Sequence, residues 1–312
     1  MKKLLLTGNK IMAAFIICMT AVVIFLPYFN FSTIVQDYLV HILFILLISG
    51  MMGLIINNRI IMFTSFGCAA ALALFLKSAS NSEFKNPKEN QNIKLSVAHV
   101  NLSVISDIKD VENLIWNDSL DVVSFQEYTP DWAELLPELV STIFPYKIES
   151  IRIDLYGKAL YSKYPISEIK KINQEELNDL EINITKSGQD FKLISIYAIP
   201  ALDKLSKKQA NAHFAELKNY ILEHKFNHLI FLGELNQVYW SHDIIEFRNT
   251  TKLLNSRRNV FPTTQKVPYD HIFFSPDLQC YQFEELIDME GFHIGCKAAF
   301  QYKTDPFINK FR

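Results

Sequence analysis

Three long apolar stretches open the chain, and a finer alternation of apolar and polar positions fills the rest. Residues 11–29 are apolar almost throughout. Residues 38–56 form a second run with His41 near its start, and residues 60–76 form a third without a charge. Each approaches the roughly 20 residues a helix needs to cross a bilayer core. None shows the polar face that a soluble helix carries. The third is the short one. Asn57, Asn58 and Arg59 make a tight polar turn between the second and third. Lys2, Lys3 and Lys10 look like the positive start of a signal peptide, but the run is too long and two more follow, so it reads as a retained anchor. The pattern predicts three transmembrane helices within residues 1–77.

Residues 78–92 are polar and read as a linker. From residue 93 the period shortens. Strands are expected at 94–101, 120–125, 158–162, 180–185, 191–197, 229–232 and 271–275, with a hairpin turn at Ser187-Gly188. Helices are expected at 107–117, at 130–144 with Pro137 bending or splitting it, at 206–224 behind a serine cap, and briefly at 241–247. Residues 166–176 and 240–264 read as loops without a motif, Pro262-Thr263-Thr264 lying in the second. Hairpins and crossovers are mixed, which gives an α+β domain over residues 93–312.

Charge then orients the chain. The lysines before the first run and Arg59 between the second and third put those segments in the cytoplasm, because short cytoplasmic flanks collect Lys and Arg. Three crossings place everything after Leu76 on the far side, the periplasm in a bacterium. A net charge of −2 argues against a nucleic-acid binder held by bulk charge, and Arg248, Arg257 and Arg258 are too few for a basic groove. Cys280 and Cys296 lie beyond the linker; outside the cytoplasm they could pair, though their spacing is a weak signal. There is no zinc spacing, glycine-rich nucleotide loop or nucleophile elbow. His224 and His228 read as surface residues at a helix end.

Candidate chemistry collects at strand ends, where scaffolds usually present functional groups. Asn101 ends one predicted strand, Gln126-Glu127 a second, and Gly233-Glu234-Leu235-Asn236 a third. Asp270 precedes a fourth, and His293 follows Gly291-Phe292.

With Val100-Asn101, Val123-Ser124-Phe125-Gln126-Glu127, the stretch Ala159-Leu160-Tyr161-Ser162-Lys163-Tyr164-Pro165-Ile166, Tyr269-Asp270-His271-Ile272 and Gly291-Phe292-His293, the order of these pieces resembles the endonuclease/exonuclease/phosphatase (deoxyribonuclease I-like) superfamily over about residues 93–299. Spans followed by such a domain resemble its bacterial membrane-bound members. The resemblance implies a four-layer α/β/β/α sandwich and hydrolysis of a phosphodiester or phosphomonoester by in-line attack of water. It makes Glu127 the main ligand of Mg²⁺ or Mn²⁺, with Asn101 close by. It makes His293 the general base, or the partner of the phosphorane, held by Asp270. Glu234 would orient the attacking water, and Asn236 would donate to a phosphoryl oxygen. The implied substrate is a phosphate ester, phospholipid among the candidates, with nucleic acid disfavoured.

Three positions depart from the family pattern. Glu234 stands for an aspartate, Phe292 for the aspartate before the last histidine, and Ala198 for a His or Tyr aimed at the leaving oxygen. Tyr197 is next door, but successive strand residues face opposite ways, so it is expected to point away unless a bulge intervenes. A phosphoesterase with a modified site is favoured, because binding alone gives no reason to keep Glu127, Asn236, Asp270 and His293 together. The alternative is a catalytically degenerate member that binds a ligand, lipid or protein.

Overall fold

The computed structural model describes residues 2–25, 35–81, 87–117, 119–172, 177–258 and 269–303. It divides into a helical unit, Met1–Ser82 with Val238–Glu246, and a larger unit, Glu83–Gln237 with Phe247–Arg312.

The helical unit contains α1 (Lys2–Phe25), α2 (Leu39–Ile55) and α3 (Arg59–Ser80). Asn57 takes a left-handed φ of 54°, and the Asn58 side chain caps α3 by accepting from the Ile61 amide. The helices of this hairpin approach closely through small residues. Gly50 lies under the Phe66 ring, Gly53 lies against the Met62 backbone, and the Ser49 and Ser65 hydroxyls are 3.1 Å apart. Large apolar side chains such as Phe15, Phe44, Phe63 and Leu74 face outward. Two of the helices, Thr7–Phe25 within α1 and Arg59–Ser80, are long and apolar enough to cross a membrane, whereas α2 has 17 residues. The short member is therefore the second and not the third. Lys77 and Ser78 continue α3 by a turn, because Lys is a good helix former and the last turn of an apolar helix tolerates polar groups. In residues 238–246 of the same unit, the Trp240 indole donates to the Gln36 carbonyl at 2.7 Å.

The larger unit is built on two six-stranded sheets. The first orders β11 (Leu278–Ile287), β12 (His293–Tyr302), β1 (Lys94–Asn101), β2 (Val122–Gln126), β4 (Lys158–Ser162) and β3 (Tyr146–Ser150). The second orders β5 (Ile166–Lys171), β6 (Leu180–Lys186), β7 (Gln189–Tyr197), β8 (Leu229–Glu234), β10 (Asp270–Phe274) and β9 (Leu254–Asn255). Each sheet has one parallel pair, β1–β2 and β7–β8, and a parallel pair needs a crossover. These are α4 (Ile108–Asn117) and α6 (Lys204–His224). The sheets face each other through Leu95, Val97, Val122 and Leu160 on one side and Ile182, Leu193, Ile230, Leu232 and Ile272 on the other. The opposite face of the first sheet packs Val123, Phe125 and Tyr161 against α4 and α5 (Pro130–Val140). Phe231 on the outer face of the second meets Phe247 of α7 (His242–Thr251), which meets Phe214 of α6. Helices thus cover both outer faces, as the four-layer expectation required.

Several local expectations change. The cap of α6 is Asp203; Ser206 is its reciprocal partner three residues on, completing a capping box. Pro137 lies inside α5, which ends at Val140. Residues 166–171 form an edge strand, and the short helix expected at 241–247 is α7, which runs on to Thr251. Residues 262–264 lie outside the described residues. Cys280 and Cys296 are free and buried. Cys280 faces Phe300 across the β11–β12 ladder, four residues or roughly 13 Å from Cys296. Burial pushes the Cys280 thiol up to about 12.

Candidate active site

The space between the sheets changes character from one end to the other. In β1 the inward positions run Leu95, Val97, His99, Asn101. In β8 they run Ile230, Leu232, Glu234, and in β10, read backwards, Phe274, Ile272, Asp270. Apolar residues fill one end and polar residues converge at the other. The polar end joins the sheets directly: Asn101 donates to Glu234 at 2.7 Å, and His293 Nε2 meets Asp270 at 2.5 Å.

Two backbone devices make this convergence possible. Gly233 sits at φ 147°, and a Cβ there would overlap the Ile196 carbonyl oxygen, so only glycine lets β7 and β8 run together here. In β12 a bulge supplies the second. Ile287 of β11 opposes His293 while Leu286 opposes Gly295, leaving Ile294 as the extra residue. The bulge shifts the side-chain phase by one, so His293 and Cys296 both face inward while Ile294 joins the outer cluster.

The predicted residues assemble as follows. Glu127, one residue past β2 at φ 57°, and Glu234, the last residue of β8, share the Asn101 amide, which donates to them at 3.2 and 2.7 Å. The Asn101 oxygen accepts from the Ser103 amide at 2.9 Å and hydroxyl at 2.8 Å. A ligand role for Asn101 would use that oxygen, and it is already engaged. Asn101 therefore meets the carboxylates as a donor. Asp270 stands opposite Glu234 in the β8–β10 register. Burial raises its pKa, but the hydrogen bonds and charges of His293 and His99 outweigh that and hold the carboxyl well below its usual range. With Nε2 given to Asp270, His293 Nδ1 has no partner among the described residues. Asn236, left-handed at φ 53°, donates to the Ala198 carbonyl at 2.7 Å.

Two site residues escaped the sequence reading. His99, fully buried, brings Nε2 to 3.5 Å from the second Asp270 oxygen, so Asp270 lies between two imidazoles. Its signal was its position two residues before Asn101, on the same strand face. Tyr197 was expected to point away. Instead it stands beside Glu234 in the β7–β8 register, on the same inward face as Leu193 and Ser195. Its phenol interacts with Asn236; burial, then Glu234 and Glu127, raise its pKa and keep it protonated. Ala198 is the buried neighbour that carries the carbonyl for Asn236. Phe292 is exposed beside His293, and the nearby Asp288 is engaged by the Glu290 and Phe292 amides of its own turn.

Below the site lies a buried charged layer. Lys158 donates to the Ser195 carbonyl at 2.8 Å and the Asn178 carbonyl at 3.1 Å, with Asp179 at 3.8 Å. Asp179 bonds His213 at 2.6 Å and accepts from the Tyr197 amide at 3.3 Å. Burial lowers the Lys158 pKa to about 8, against the pull of Asp179. The layer fixes the backbone at the end of β7.

Does this site suit a divalent cation? No group of three His, Cys, Asp or Glu side chains among the described residues is placed to enclose one. Mg²⁺ does not require that, since it keeps several waters beside one or two carboxylates. Glu127 and Glu234 both accept from the Asn101 amide, which brings two carboxylates together, and a cation at that point would relieve their like charges. The donor set fits an oxygen-seeking ion.

A two-sheet α+β sandwich with carboxylates, an amide pair and an Asp–His couple at its strand ends is a hydrolase-like domain. The chain belongs to the endonuclease/exonuclease/phosphatase family, whose model matches residues 93–291. Solved structures agree on the fold. An endonuclease/exonuclease/phosphatase family protein from Bacteroides thetaiotaomicron superposes with a TM-score of 0.52 at 15% identity, covering 69% of this chain and 100% of its own. A family member from Beutenbergia cavernae gives 0.52 at 12% identity over 67% of this chain and 72% of its own. The 3′ phosphatase NExo from Neisseria, bound to a product DNA hairpin, gives 0.50 at 17% identity over 68% and 100%. No curated protein matches by sequence.

Proposed function

We propose that this chain is a membrane-anchored, metal-dependent phosphoesterase with a modified site. Residues 1–77 would anchor it in the inner membrane of a bacterium through three helices, residues 78–92 would link, and residues 93–312 would work on the periplasmic side. One observation carries the catalytic reading: the Asn101 amide shared by Glu127 and Glu234, beside the Asp270–His293 couple.

In this reading Glu127 and Glu234 would hold Mg²⁺ or Mn²⁺, with Asn101 fixing both carboxylates. The bound cation would offset charge on the phosphoryl oxygens. Asp270 keeps Nε2 of His293 protonated, so Nδ1 takes the proton of the attacking water. The water oxygen bonds phosphorus as the opposite P–O bond breaks. Asn236, with one N–H committed to Ala198, turns the other toward the phosphoryl oxygen as charge builds. Tyr197, protonated and next to Asn236, supplies the proton to the leaving oxygen. It fills the role that Ala198 left open.

The degenerate reading rests on Phe292, where no carboxylate replaces the missing one. A direct assay decides. The full-length chain, purified in detergent, should hydrolyse a generic phosphodiester or phosphomonoester in the presence of Mg²⁺ or Mn²⁺, and Glu127→Ala and His293→Ala should abolish it. No turnover with any divalent ion, on soluble esters or phospholipid, would leave the binding module as the better account.

A further inference from the structure

The mouth of the site carries an unusual amount of exposed apolar surface. Three loops surround it. The β3–β4 loop adjoins Glu127, because the Tyr128 amide donates to the Gly157 carbonyl, the Arg152 amide donates to the Tyr128 carbonyl, and Gln126 donates to the Leu155 carbonyl. It exposes Ile151 and Ile153, the latter 92% accessible. The segment after β7, which follows Tyr197, exposes Leu202 at 89% and Leu205 in the first turn of α6. The β11–β12 turn, which precedes His293, exposes Met289 and Phe292.

A lone exposed Leu or Ile needs no explanation, but six on three segments that each adjoin a site residue in the chain do. Their charges narrow the occupant. A nucleic-acid backbone demands a row of cations. These loops offer Arg152, which is paired with Asp154 at 2.6 Å, and Lys204, against Asp203, Asp288 and Glu290. The rim suits the uncharged part of a lipid interface, where apolar side chains enter the headgroup boundary. The chain also carries its own helices that are long and apolar enough to cross a membrane.

We infer that the rim formed by Ile151, Ile153, Leu202, Leu205, Met289 and Phe292 is a bilayer-contacting surface and that the site takes phosphate esters presented by lipids. The substrate part of this inference rests on the phosphoesterase reading; the contact part does not.

The test uses the full-length chain in phosphatidylcholine nanodiscs. In a Cys18→Ser background, an environment-sensitive fluorophore is placed through Ile153→Cys, Leu202→Cys or, as control, Ser187→Cys at the far hairpin. Nitroxide-bearing lipids should quench the first two several-fold more than the control. Equal quenching at all three positions overturns the contact. Separately, Ile153→Ser with Leu202→Ser should lower hydrolysis of a bilayer-borne phosphate ester on the order of tenfold while leaving a water-soluble phosphodiester unaffected. Equal effects on both substrates overturn the lipid assignment. If the unmodified chain hydrolyses neither, the phosphoesterase reading has failed, and the quenching result still decides the rim.

Discussion

Leu232 and Glu234 leave the same strand in the same direction, yet they belong to different regions. Leu232 lies among Val97, Ile182, Leu193 and Ile272, where apolar side chains of both sheets meet and burial does most of the holding. Two residues on, Glu234 meets Asn101, and the sheets are joined by directed polar contacts. At the apolar end, many side chains share the work and any one is partly replaceable. At the polar end each group is held by directed partners, and loss of one strands the others. The fold is built by the first region and loaned to the second.

Mutations should therefore separate the two ends. The largest effect is expected at the polar end, where His293→Ala should lower turnover on the order of 10³-fold and, by stranding the buried Asp270 carboxylate, should also lower the melting transition. Full turnover by the folded variant would show that the couple is structural alone. At the apolar end, Leu232→Ala should cost about 3 kcal/mol in chemical denaturation, with turnover of the folded fraction retained. Glu234→Asp withdraws the carboxylate from Asn101 by about an ångström and should cost roughly 10²-fold in turnover. A gain instead would mean that the longer arm marks a decayed site.

The smallest expected effect concerns the layer between the ends. Lys158 has a folded pKa of about 8 against an ordinary 10.5. Between those values the unfolded chain binds more protons, so stability should rise with pH from about 8 to 10.5, by at most ~1.4 kcal/mol per pH unit from this group. Lys158→Met should remove that part of the rise in urea melts. An unchanged profile would place the lysine's charge in contact with water.

How far the sequence revealed these regions depended on whether a pattern was local. Glu234 and Asn236 were legible because a buried apolar run leads into Gly233, although the strand expected to end there continues through Glu234. The hairpin at Ser187-Gly188 and β1 were legible for the same reason. Tyr197 was aimed wrongly because Leu193, Ile194 and Ile196 are apolar on both faces, so a period of two cannot choose between them. His293 was recognised by its motif, but the bulge that turns it inward leaves no trace in residue types. β5 was missed because an exposed edge strand has only half an apolar face to show, and β11 because its bulge near Cys280 breaks the alternation. His99 had a visible period and no visible partner, since Asp270 lies in the other sheet.

The claim on which the rest depends is that Glu127 and Glu234 together hold a divalent cation at the polar end. Mn²⁺ binding to the full-length chain, followed by electron paramagnetic resonance of the free ion, tests it directly. The account predicts saturable binding that is lost in Glu127→Ala, weakened in Glu234→Ala and retained in Leu232→Ala. Binding that survives Glu127→Ala unchanged, or no binding by the unmodified chain, would contradict it.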